Sequence, residues 1–92
     1  MRDKPELPFE NLFPAVRTRG GGFALGNGEI LSPREADALR CVWLGYSNYQ
    51  IAPALSISLA RVRALLSNLM LKTGLRRQQL SVVHDRLATD VA

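Results

Sequence analysis

From Ser32 to about Leu87 the apolar residues recur three and four positions apart, with capping residues and glycines breaking the pattern at intervals. Ser32 opens the first run. It is a favoured N-cap, Pro33 suits the first helical position, and Glu35 stands three residues after the cap, so a capping box can satisfy two orphan N–H groups. Ala38, Leu39 and Val42 follow at helical spacing, Trp43 half-buries beside them, and Gly45 ends the helix. Ser47 and Gln50 repeat the box for a second helix, whose inward face is Ile51, Ala52 and Leu55. Ser56 and Ile57 turn the chain and Ser58 caps a third helix. Val62, Leu65, Leu66, Leu69 and Met70 form its inward stripe, and Gly74 closes it. From about Gln78 a fourth helix aligns Leu80, Val83 and Leu87, with Val82 beside them.

Residues 1–29 follow no such period. Pro5, Pro8 and Pro14 punctuate them, and Gly20, Gly21, Gly22, Gly26 and Gly28 loosen the second half. Leu7, Phe9, Leu12, Phe13 and Val16 lie between, enough apolar surface to dock on the domain or on a partner. Gly22 to Leu25 is the only stretch that reads as locally extended. The expected fold class is therefore all-α: four helices over residues 30–92, preceded by a flexible or loosely docked N-terminal arm or linker over residues 1–29.

Ninety-two residues suffice for one small domain, whose core is marginal alone, and oligomerisation is a natural expectation. The net charge of +4 matters less than its placement. Before Ile30, Arg2, Lys4, Arg17 and Arg19 balance Asp3, Glu6, Glu10 and Glu29. Between Asp37 and Asp85 there is no acidic residue, and the interval carries Arg40, Arg61, Arg63, Lys72, Arg76 and Arg77. A one-signed stretch is the footprint of a phosphate-backbone binder, or else a solvated basic face.

Cys41 is the lone cysteine, so no internal disulfide or cysteine metal cluster is expected, and it reads as a small packing residue. No cofactor is implied. The N-terminus has no signal-peptide pattern and no run is long enough to span a membrane, which predicts a soluble, cytoplasmic protein. An enzyme is not expected. His84 and Asp85 are helix neighbours that point in different directions, and Gly20-Gly21-Gly22 lacks the lysine and spacing of a phosphate loop.

LSPREADALR, then LGYSNYQIAPALSIS, then VRALLSNLMLKTGL together resemble the LuxR/GerE-type helix-turn-helix domain of bacterial transcription regulators. The resemblance covers about Leu31 to Leu87. Leu-Ser-Pro-Arg-Glu, Gly-x-Ser-Asn, Ile-Ala, Leu-x-Ile-Ser and the post-helix Gly74 all stand in register. A sigma-factor region-4 domain shares the first three helices but does not normally supply Gly74-Leu75 and a fourth helix. The resemblance implies a four-helix domain whose third helix enters the major groove of double-stranded DNA and whose fourth builds a homodimer through Leu80, Val83 and Leu87. Without room for a receiver or ligand-binding domain, the chain is expected to be freestanding and nucleoid-associated when bound.

On a helical wheel the outward face of the third helix presents Ala60, Ala64, Ser67, Asn68 and Leu71, flanked by Arg61 and Arg63. Small side chains let a helix sit deep in the groove, and arginines reach phosphates or guanine edges. By the resemblance Arg63 takes the place of a usual lysine and is the first candidate for a base or phosphate contact. Arg61 replaces a usual threonine and is assigned to phosphate. Ser58 aims a helix N-terminus at a phosphate. Ser47 and Tyr49 lie on the supporting helix, with Tyr49 in place of a usual cation. Lys72, Arg76 and Arg77 are assigned to flanking backbone.

Three departures complicate the match. Leu65 stands where the family often has histidine. Leu71 is an outward apolar side chain that DNA does not require. Pro53 falls past the first turn of the second helix, where proline costs about 3 kcal/mol in an ordinary interior, partly relieved by a kink in so short a helix. The alternative reading is a protein-interaction module in which the fourth helix or the Phe9/Phe13 arm grips another regulator. The two readings can coexist, since a small DNA-binding dimer can also recruit RNA polymerase.

Overall fold

The computed structural model describes residues 10–90, with side chains through Ala88. Leu7 and Phe9, assigned above to the arm, lie outside the described residues. A 3-10 turn at Glu10–Leu12 leads into three short strands, β1 (Val16–Arg17), β2 (Phe23–Ala24) and β3 (Ile30–Leu31). Four helices follow: α1 (Pro33–Trp43), α2 (Asn48–Leu55), α3 (Leu59–Thr73) and α4 (Arg77–Asp90).

The helix starts obey the local sequence. The Ser32 hydroxyl accepts from the Glu35 N–H at 3.0 Å, and the Glu35 carboxylate accepts from the Ser32 N–H at 2.8 Å. Ser47 and Gln50 make the same reciprocal pair. Ser58 accepts from the Arg61 N–H, and Gly74 caps the far end of α3 by donating to the Met70 carbonyl at 2.8 Å. These bonds satisfy groups that every helix end leaves without an intrahelical partner.

Pro53 lies inside α2 and faces solvent. It has no N–H to offer the Tyr49 carbonyl. The helix continues only to Leu55, so the damage is confined to a single exposed turn.

The N-terminal segment corrects the all-α expectation. The strands form an antiparallel meander in the order β1-β2-β3, with Arg17 opposite Phe23 and Phe23 opposite Leu31. Leu12, Ala15, Leu25 and Leu31 belong to the same buried cluster as the helices, Leu12 with 0% of its surface exposed. Leu12, Ala15 and Leu25 thus pack into the core, where a flexible or loosely docked arm was expected. Two glycines that read as looseness are packing requirements. A Cβ on Gly22 would stand 2.0 Å from the Leu31 carbonyl oxygen, and one on Gly26 would stand 2.8 Å from that of Phe13. The sheet needs those backbones that close.

In the helical layer α1 packs against both α3 and α4, and α2 packs on α3. Ala38, Leu39 and Val42 meet Ile51, Val62, Leu66 and Leu69 in the core. The fourth helix gives a second correction. Leu80 and Val83 are 0% exposed and Leu87 is 2% exposed, so the stripe assigned to a dimer interface lies in this chain's own core. The physical reason is simple: α1 covers it. Among the large apolar side chains of α4, Val82 is the exposed one.

Candidate nucleic-acid interface

The axes of α2 and α3 diverge by 105° across the three residues Ser56, Ile57 and Ser58. Two helices at roughly 90–120° joined by a three- or four-residue turn are the geometry of a DNA-binding helix-turn-helix. The turn is built from backbone bonds: Ser56 takes the left-handed conformation (φ 58°), and the Ile57 N–H reaches back to the Ala52 carbonyl at 2.9 Å. Leu55 and Ile57 pack against the core and fix the corner.

The two faces of α3 separate cleanly. Val62, Leu65, Leu66 and Leu69 are buried, while Ala60, Arg61, Arg63, Ala64, Ser67, Asn68 and Leu71 are exposed. Fifteen residues make a helix about 22 Å long. Its outward surface is low where Ala60, Ala64 and Ser67 lie. Leu71, 80% exposed, projects from it toward the C-terminal end. Ser47 and Ser58 hold helix starts, and Tyr49 stands 74% exposed on α2.

The basic residues divide into two groups. Arg61, Arg63 and Arg76 are exposed, and their side chains make no hydrogen bond or ion pair among the described residues. Lys72 and Arg77 are engaged internally. The Lys72 ammonium donates to the Glu35 carboxylate at 2.8 Å and to the Ile30 carbonyl at 2.7 Å. Asn27 donates to the Lys72 carbonyl at 2.9 Å, so the last turn of α3 is fastened to β3, the β2–β3 turn and the start of α1. The Arg77 guanidinium donates to the Asn48 side-chain oxygen at 2.6 Å and to the Tyr46 carbonyl at 2.8 Å, tying α4 to the start of α2. Both ends of the helix pair are thus braced by cations whose charge had suggested phosphate. Nothing in the local sequence reveals these partners, which lie 37 and 29 residues away.

Away from α3, the Trp43 indole N–H donates to Asp85 at 2.8 Å, and its ring stacks on His84 at 4.6 Å. Burial pushes the His84 imidazole below its ordinary pKa. The Asp85 carboxylate pulls the other way, and Arg40 adds a smaller push downward. Burial and then Asp37 raise the Cys41 thiol pKa, against a smaller effect of Arg40. Among the described residues no group of three or more histidine, cysteine or acidic side chains is placed to hold a metal. No single described helix is long and apolar enough to cross a membrane.

The family model described as "Bacterial regulatory proteins, luxR family" (GerE) matches residues 29–84 of the 92. The chain belongs to this family. Membership makes it a DNA-binding transcription-regulator domain, and the matched span holds α1, α2, α3 and the first half of α4. Strands β1 and β2 precede the match. No curated protein and no solved structure matched the chain.

Proposed function

We propose that this LuxR-family domain is a sequence-specific reader of double-stranded DNA that places α3 in the major groove. The observation that carries the reading is the α2–α3 corner of 105°, with Arg61 and Arg63 unpaired beside an outward face of small side chains. The groove is about 12 Å wide, so low Ala60, Ala64 and Ser67 allow close approach while Arg63 reaches a base edge or phosphate. Arg61 and Arg76 contact backbone phosphates. Ser47 and Ser58 present helix N-termini, whose free N–H groups and dipole favour an anion, and Tyr49 offers a hydroxyl. Lys72 and Arg77 hold the reading helices in place.

Two copies on a roughly palindromic site, with half-sites about one helical turn apart, complete the proposal. Their contact uses the outer face of α4 around Val82, because Leu80, Val83 and Leu87 are enclosed.

The test selects duplexes from a random pool with the purified chain and measures anisotropy at several salt concentrations. An enriched palindrome binding about a thousandfold tighter than random duplex supports the reading. A folded chain that enriches no sequence, or binds none at low salt, rejects it.

A further inference from the structure

We propose that the groove between α1, α4 and the β1–β2 hairpin docks an acidic segment of a partner protein that carries an aromatic or branched apolar side chain. The groove encloses about 360 Å³, and Arg17, Phe23, Asp37, Arg40, Trp43 and His84 line it. Its one acidic wall residue, Asp37, has Arg34 as a neighbour at 3.6 Å. Arg17 and Arg40 have no carboxylate partner among the described residues, and the Arg17 guanidinium lies 5.5 Å over the Phe23 ring. The groove therefore carries positive charge that the described residues leave uncompensated, and a carboxylate is the complement it lacks.

The ring wall is rigid. Trp43 stacks on His84 with 23° between planes, and Asp85 holds its indole N–H, yet the side chain remains 41% exposed. A fixed, exposed indole loses little conformational freedom when covered. Tryptophan and arginine are also the residues that most often concentrate binding energy at protein interfaces. An open groove with charged walls suits a protein segment better than a small molecule, which binds in a largely enclosed apolar pocket. No residue of α2 or α3 lines the groove, so it stays open while α3 occupies DNA.

The experiment selects binders to the full chain from a random linear peptide library, with no DNA present. Its outcome is thus independent of the DNA reading. Enriched peptides are expected to place Asp or Glu beside Phe, Tyr or Leu. Trp43 is the only tryptophan, so tryptophan-free synthetic copies should shift the protein's own emission on binding. Arg40→Glu and Arg17→Glu should each weaken them about tenfold or more, and both sites are exposed enough to leave folding intact. No enrichment, enriched peptides that are neutral or basic, or peptides that bind the charge-reversed variants as tightly as the parent protein overturns the proposal. Duplex DNA shifting Trp43 emission with the same Arg40 dependence overturns it as well, in favour of a second phosphate contact.

Discussion

Lys72 and Glu35 are 37 residues apart in sequence and 2.8 Å apart in space, and the carboxylate oxygen that receives the lysine also caps α1 through the Ser32 N–H. The Glu35 side chain is almost fully buried, and that lysine is its ion-pair partner. Lys72→Met leaves the carboxylate enclosed without its cation and should cost about 1–3 kcal/mol, less than a fully buried pair because the lysine is partly solvated. Urea denaturation measures it. The same variant, once folded, should keep the salt slope of DNA binding. A slope reduced by about one with stability unchanged would return Lys72 to the phosphate contacts.

Arg63 and Arg61 should behave in the opposite way. Neither guanidinium has an internal hydrogen bond or ion-pair partner among the described residues, so Arg63→Ala and Arg61→Ala should leave the urea midpoint nearly unchanged. For Arg63→Ala the loss of specific binding should be about 1–3 kcal/mol if the contact is a bidentate base pair reading, with relaxed preference at one position. For Arg61→Ala every duplex should weaken alike, and the slope of log K against log salt should drop by about 0.9. Unchanged affinity in either variant removes that residue from the interface.

Of the sheet, the sequence pattern disclosed only the extension at Gly22–Leu25 that holds β2, not the pairing, and Gly22 shows why. Two-residue strands are too short to display alternation, and their pairing is made by backbone groups that any sequence carries. Gly22 and Gly26 look like flexible linker residues until the Leu31 and Phe13 carbonyls are seen against them. Gly22→Ala should destabilise the domain by about 2–4 kcal/mol, since the obstructing atom is backbone and cannot swing aside. An unchanged thermal midpoint would mean that the meander does not pack as described.

Helix starts were legible because a capping box is local: Ser32 with Glu35, and Ser47 with Gln50, are three residues apart and need no tertiary information. The outward position of Arg61 and Arg63 was legible for the same reason, from helical period alone. What covers an apolar stripe is not local. Leu80, Val83 and Leu87 are consistent with a dimer seam or a core, and only the placement of α1 decides for the core. Val82→Asp should therefore leave the fold intact and weaken cooperative binding to a two-half-site duplex, while single half-site affinity stays the same. A cooperative complex as strong as the parent's would move the copy-to-copy contact elsewhere.

Cys41 is buried, and its thiol is held above the ordinary cysteine range by desolvation and Asp37. Because the thiolate is the reactive form, native protein at neutral pH should react with iodoacetamide far more slowly than protein in urea. Comparable rates in the two states would show that α1 opens locally at this position.

His84 gives the domain a pH dependence with a defined direction. Burial depresses its folded-state pKa, so the folded chain prefers the neutral ring while the unfolded chain titrates at about 6.5. Above that unfolded value both states are neutral and the contribution to stability is fully present. As the pH falls below it, the unfolded chain takes up the proton first, and stability declines until the folded pKa is passed. Asp85 opposes the shift and Arg40 reinforces it, so the decline is a balance dominated by burial. His84 is the only histidine in the chain, so urea midpoints between neutral and mildly acidic pH should drop in the parent protein. The drop should shrink in His84→Phe, which keeps a ring against Trp43 but cannot titrate. An equal drop in both proteins would assign the acid sensitivity to carboxylates instead.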